Sequence, residues 1–178
     1  MSKILEVENL ATYFHTFKGV VKSVDRISFS MEEGEVLGVV GESGGGKSVT
    51  GFSVIKLIDP PGKITADKIE FDGEDLMAKP EKEMNKFRGN KISMIFQEPM
   101  TALNPVFRIG DQVNEVIELH DGAGKSKEDI KARTIELLEM VGIANSQGVY
   151  KMFPHELSGG MRQRVMIAMA LACNPRII

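Results

Sequence analysis

Apolar positions along this chain alternate between the period of a strand and the period of a helix. Ile4 to Asn9 reads as a strand, and Ser23 to Met31 as another, with Ile27, Phe29 and Met31 alternating against polar neighbours. Between them lies a loop carrying three aromatics, Tyr13, Phe14 and Phe17. Glu32-Glu33-Gly34 turns the chain into Val36-Leu37-Gly38-Val39-Val40, the short β-branched run expected of a buried parallel strand. Ser48 to Leu57 suits a helix, and Asp59-Pro60-Pro61-Gly62 breaks it. Lys68 to Phe71 followed by Asp72-Gly73 is a short strand and turn, Lys79 to Arg88 a charged helix, and Lys91 to Phe96 a further buried strand.

The second half is helical. Asn104-Pro105 breaks a loop; Ile109 to Leu119 and Lys127 to Val141 are two helices joined by a glycine-rich linker. Ile130, Leu137, Leu138 and Val141 keep to the 3.6-residue stripe in the second of them. A polar loop leads to Phe153-Pro154, then a helix from about Gly160 to Ala172. Asn174-Pro175 stops that helix, and Arg176-Ile177-Ile178 opens another strand. Strands alternating with helices give an α/β fold with a largely parallel sheet and a helical insertion from about 106 to 157.

One segment of this pattern carries chemistry directly. Gly41 to Ser48, GESGGGKS, fits the spacing G-x-x-x-x-G-K-S and stands between the apolar run and the first helix. Gly41, Gly44, Gly45 and Gly46 let the backbone wrap closely, so that its N–H groups, with those of Ser43 and Val49 beside them, point at phosphate oxygens. The helix dipole adds to that attraction. Lys47 reaches the β- and γ-phosphates of a nucleotide, and the Ser48 hydroxyl ligates Mg²⁺. The plainer alternative is a glycine-rich turn before an ordinary helix; it leaves the strand, the spacing, the lysine and the serine unexplained together. Gly122-Ala123-Gly124-Lys125-Ser126 imitates the motif, but Leu119 occupies the required glycine position and a helix precedes it, so it reads as a solvated linker.

Leu157 to Arg164, LSGGMRQR, is the second signal. Ser158 before Gly159 and Gly160 at a helix start combines a hydroxyl, free N–H groups and a dipole, which together favour an anion. Read alone it is a plain serine cap. Paired with the glycine loop upstream and Gln97 between them, it points to a shared nucleotide.

Composition narrows the partners. A net charge of −3 and a pI near 5.7 leave no electrostatic footprint for nucleic acid. Cys173 is the sole cysteine, which fits a reducing compartment. MSKILEVENL has neither an apolar core nor a cleavage site, so it is not expected to be a signal peptide. The longest apolar run, Val165 to Cys173, is too short to span a bilayer.

Gly41 to Ser48, Gln97 and Leu157 to Arg164 together resemble the nucleotide-binding subunit of ABC transporters. The run Phe96 to Gln112 and the segment FPHELSGGMRQR are similar to the peptide-importer branch, which handles dipeptides, oligopeptides and nickel. The resemblance implies a P-loop NTPase fold: a mostly parallel sheet, an N-terminal antiparallel β-subdomain and a helical subdomain. Its core would cover about 1–105 and 158–178, with the helical part about 106–157. It implies ATP and Mg²⁺ as ligands, with Gln97 on Mg²⁺ and sensing the γ-phosphate, and Phe14, or else Tyr13, stacked on adenine. Ser158, Gly159, Gly160 and Met161 would complete the ATP site of a second ATP-binding subunit. Gly45 stands where serine is frequent, and Met161 where glutamine is commonest. Transmembrane permease subunits and, indirectly, an external peptide-binding protein are the implied partners, at the cytoplasmic face of the membrane.

The resemblance also implies that the Walker B strand, its Mg²⁺-binding Asp and catalytic Glu, and the switch His would follow Pro175. The expectation is therefore a fragment of an ATPase with little or no hydrolysis by itself, and an unpaired apolar edge at the P-loop strand. Two other classes remain to be weighed. A soluble ABC ATPase of DNA repair or translation wants a basic face or a coiled-coil insertion. A P-loop GTPase wants N-K-x-D, whereas Asn85-Lys86 precedes Phe87-Arg88, and a P-loop kinase leaves LSGGM unexplained.

Overall fold

The computed structural model describes residues 3–98 and 102–178. Met1, Ser2, Pro99, Met100 and Thr101 of the segments read above lie outside them. The chain divides into two compact units, Met1–Met84 and Asn85–Ile178.

In the first unit, β1 (Lys3–Thr16) and β2 (Gly19–Glu32) form one long antiparallel hairpin. Thr16 Oγ1 donates to Gly19 O at 2.8 Å and closes its tip. The predicted aromatic loop is therefore strand: Tyr13 pairs with Lys22 and Phe14 with Val21. On its other edge β1 pairs first with β4 (Lys68–Phe71) and then with β3 (Gly62–Thr65), and β5 (Glu74–Asp75) adds to β4. Asn9, at φ +50°, sits at the irregularity between Val7 and Leu10. A bulge inserts one residue and flips side-chain parity. Leu5 and Val7, with Ile4, are buried before it; Leu10 and Thr12, with the small Ala11 between them, are buried after it.

Helix α1 (Lys47–Val54) packs on that buried face. Thr12 Oγ1 and Ser53 Oγ share a 2.6 Å hydrogen bond with both residues buried, tying β1 to the helix. Its C-terminus closes as a Schellman motif: Leu57 N–H donates to Phe52 O at 2.8 Å and Lys56 N–H to Ser53 O at 3.1 Å. Phe71, Ile69, Leu76 and Met84 complete the core of this unit.

Two predicted strands take another form. Val36 to Val40 makes no ladder, and Val36 and Val40 are 95% and 93% exposed. A central parallel strand needs ladder partners on both edges, and no described strand lies hydrogen-bonded to it. Lys91 to Phe96 keeps only isolated parallel bridges, Ile92 to Arg88 and Ile92 to Ile177, with Ser93 N–H donating to Ile177 O at 2.9 Å. The sheet formed among the described residues is thus antiparallel, and parallel pairing is limited to bridges in the second unit.

Helix α2 (Glu81–Phe87) runs across the junction between the units. The second unit then packs α3 (Ile109–Asp121), α4 (Lys127–Met140), α5 (Ser146–Tyr150), a 3₁₀ turn at Pro154–Glu156 and α6 (Gly159–Leu171) around one apolar core. Ile109, Val113 and Ile117, four residues apart, line one face of α3 and are fully buried. Buried Gln112 accepts from Asn104 N–H at 2.9 Å and donates to Asn104 O and Phe107 O at 3.0 Å, pinning the preceding turn. The linker before α4 ends in a capping box: Ser126 Oγ accepts from Asp129 N–H, and Asp129 accepts from Ser126 N–H. The Ser126 hydroxyl also donates to Asp129 Oδ2 at 2.7 Å, and that bond, with the one from Ser126 N–H, holds the Asp129 carboxyl below its ordinary pKa. No helix among the described residues is long and apolar enough to cross a membrane.

Candidate functional site

The glycine loop is held from beneath by the hairpin. Gly46 is the N-cap of α1 at φ +80°, and a Cβ there would sit 2.2 Å from Ser23 O of β2. Only glycine lets the helix start that close to the strand. Gly44 also takes a positive φ, +79°, and Gly45 donates its N–H to Glu42 O at 3.0 Å. Gly41, Ser43, Gly44, Gly45 and Ser48 are exposed.

The first helical bond runs from Thr50 N–H to Gly46 O at 2.8 Å. The N–H groups of Lys47, Ser48 and Val49 precede it, and no side chain caps them. Lys47 Nζ donates to Gly41 O and Glu42 O, each at 2.7 Å, and ties the start of the loop to the helix. An ammonium has three N–H donors, so one remains to point outward. An exposed loop with uncapped N–H groups, a spare ammonium donor and an exposed hydroxyl at Ser48 fits a phosphate chain with its metal. Among the described residues no cluster of His, Cys, Asp and Glu is placed to hold a metal ion. A cation here would take the Ser48 hydroxyl, phosphate oxygens and water, as Mg²⁺ does.

Strand parity separates the two aromatics. Phe14 shares the α1 face of β1 with Thr12, half-buried beside Ile58: a Cβ on Gly62 would meet Phe14 Cε1 at 2.8 Å and Ile58 Cγ2 at 2.4 Å. Tyr13 turns to the opposite face, where it lines a shallow cleft with Asn9, Arg26 and Asp67. Its hydroxyl donates to Asp25 Oδ1, and this bond, with Lys22 beside it, holds the Asp25 carboxyl below its ordinary pKa. Phe14 is the aromatic on the face that carries α1.

Gln97 and the signature segment belong to the second unit. Gln97 is exposed on an irregular stretch beside Phe96, Glu98 and Ala102. Ser158 is the N-cap of α6, its Oγ accepting from Met161 N–H at 3.3 Å. A Cβ on Gly159 or Gly160 would meet nothing within 4 Å, so the helix start stands open to a ligand from outside. Met161 differs: its N–H is engaged by Ser158 and its side chain packs on the helical core. Arg164 Nη1 donates to Val141 O at the end of α4, a tie between the signature helix and the helical core that composition alone does not reveal.

A family model described as ABC transporter matches residues 24–178. The dipeptide transport ATP-binding protein DppD of Escherichia coli (strain K12) is 47% identical over 98% of this chain and 53% of its own length. The oligopeptide transport ATP-binding protein OppD of Bacillus subtilis (strain 168) is 49% identical over 100% of this chain and 49% of its own. This chain therefore spans about half the length of those curated relatives. A dimeric ATP-binding cassette solved in a post-hydrolysis state with ADP and Pi superposes with a TM-score of 0.84 at 26% identity, over 96% of this chain and 70% of that one. With the family model covering most of its length, the chain belongs to the ABC transporter family.

Proposed function

We propose that the chain is the ATP-binding portion of a peptide-type ABC importer subunit, coupling ATP binding and hydrolysis to uptake through transmembrane partners. The observation that carries this reading is the exposed loop from Gly41 to Gly45, tied by Lys47 and followed by three uncapped N–H groups at the start of α1. Relatives named for dipeptide and oligopeptide transport support the substrate class.

The backbone N–H groups of Gly44, Gly46, Lys47, Ser48 and Val49 hold the phosphates, with Gly41, Ser43 and Gly45, whose N–H donates to Glu42 O, shaping the turn. Lys47 directs its third N–H at the β- and γ-phosphates. Mg²⁺, held by the Ser48 hydroxyl and the Gln97 amide, would neutralise phosphate charge and align the terminal group. Phe14 offers its ring to adenine; stacking of this kind contributes about 1–3 kcal/mol for nucleobases on aromatics. Ser158, Gly159 and Gly160 serve a nucleotide held by a second copy or a second ATP-binding subunit, and the Met161 N–H holds their cap in shape. The subunit would act at the inner membrane face, docked on a permease fed by an external peptide-binding protein. Nucleic acid is not among its partners.

Titration calorimetry tests the central claim. Lys47→Ala is expected to weaken Mg-ATP binding at least tenfold, about 1.4 kcal/mol. An unchanged dissociation constant would overturn the P-loop assignment.

A further inference from the structure

We propose that Lys56 is a positioning residue for the phosphate loop, a built-in cation that fixes the far end of α1 in a cup of backbone carbonyls. Its Nζ donates to Leu76 O at 3.2 Å, Met77 O at 3.2 Å and Lys79 O at 2.8 Å. Three carbonyl oxygens converging on one ammonium make an oxygen cage of the kind a monovalent cation occupies. The cup is itself ordered: Leu76 is fully buried and its N–H donates to Ile69 O of β4 at 2.8 Å. Met77 N–H donates to Asp75 Oδ1 at 2.8 Å, and Lys79 pairs with Glu74 at 2.7 Å.

The backbone gives the second, independent observation. Lys56 is the residue after the cap of α1, at φ +55°, in the left-handed position that helix ends reserve for glycine. A lysine accepts the strain of that position, and its side chain is thereby aimed back onto the β5–α2 connection. Charge-assisted bonds to the carbonyls offset the strain. The helix so anchored carries Lys47 and Ser48 at its other end, eight residues long from Lys47 to Val54. Gly46 fixes the start of α1 on β2 and Lys56 fixes its end on the β4 side, so the N–H groups before Thr50 keep one direction. This inference rests on the phosphate-loop reading above.

The experiment compares Lys56→Gly with Lys56→Ala. The glycine variant removes the tether and relieves the backbone, so it retains the fold; the alanine variant removes the tether and keeps the strain. Both are expected to bind Mg-ATP at least fivefold more weakly than the parent chain by calorimetry. Adding about 100 mM ammonium chloride should restore at least half of the loss and raise the unfolding temperature of Lys56→Gly, whereas tetramethylammonium chloride at equal ionic strength should not, since it has no N–H to donate. Parent-like affinity in Lys56→Gly overturns the proposal, as does equal response to the two salts. If the parent chain itself fails to bind ATP and Lys47→Ala is no different, the phosphate-loop reading falls; the ammonium-specific shift in unfolding temperature then still decides whether Lys56 fills a cation cup.

Discussion

At the level of single residues, the loop depends on positions where a side chain has no room. Gly46 combines φ +80° with a Ser23 carbonyl 2.2 Å from any added Cβ. Gly41 has the same chemistry and none of the constraint: a Cβ there would meet Lys47 Cγ at 3.8 Å, an ordinary contact. Gly46→Ala should therefore lower unfolding free energy by about 2 kcal/mol or more, from left-handed strain and the clash with β2. Gly41→Ala should stay near the parent. Urea titration followed by circular dichroism reads both, and equal midpoints for the two variants would show that α1 does not start against β2. Lys56 belongs to the same class of residue. Glycine after a helix marks a left-handed cap in a sequence, and lysine hides it, so neither the strain nor the carbonyl cup was legible there.

At the level of elements, a boundary was legible where a local signal encodes it. Lys68 to Phe71 reads as a strand and is one, because Asp72 and Gly73 close it at φ +51° and +79°. The starts of α4 and α6 follow from Ser126 with Asp129 and from Ser158. The hairpin was read short because the bulge at Asn9 switches the buried parity halfway along β1, which breaks the alternation that announces a strand. Val36 to Val40 failed in the opposite sense: β-branched composition is a preference, and ladder partners decide whether it is realised. The hairpin also carries a pH-dependent clamp. Glu6 of β1 accepts from Lys3 and, at 2.5 Å, from Lys68 of β4, and these bonds pull its pKa from 4.5 down to about 2. A carboxylate depressed in the folded state stabilises it above the unfolded value and loses that contribution as pH falls toward the folded one. The denaturation midpoint should thus drop between about pH 4.5 and about pH 2, and Glu6→Gln should flatten that part of the profile. A Glu6→Gln profile parallel to the parent's would mean that the clamp does not couple β1 to β4.

At the level of the whole molecule, the two helix starts proposed to bind phosphate differ in how they are furnished. The start of α1 brings its own cation, Lys47, and an exposed hydroxyl at Ser48, with Phe14 on the same face of the hairpin. The start of α6 brings open N–H groups and a serine that spends its oxygen on Met161 N–H; its first arginine, Arg162, comes three residues after the first helical position, and Arg164 is spent on Val141 O. A helix start with no cation at its first position, where α1 has Lys47, suits a phosphate site that another surface has already built. That surface is proposed to belong to a second copy. Ser158→Arg then has a distinctive consequence: calorimetry on this chain should give an Mg-ATP affinity within about twofold of the parent, a difference under about 0.5 kcal/mol, while Lys47→Ala loses tenfold. Losing the serine cap should cost about 1 kcal/mol of stability at α6, which thermal unfolding separates from any change in binding. Sedimentation in the presence of Mg-ATP should show association for the parent and none for Ser158→Arg, because a guanidinium on a long stem occupies the space the partner's γ-phosphate needs. If Ser158→Arg weakens ATP binding as much as Lys47→Ala does, both segments serve one nucleotide within one chain, and the two-copy arrangement fails.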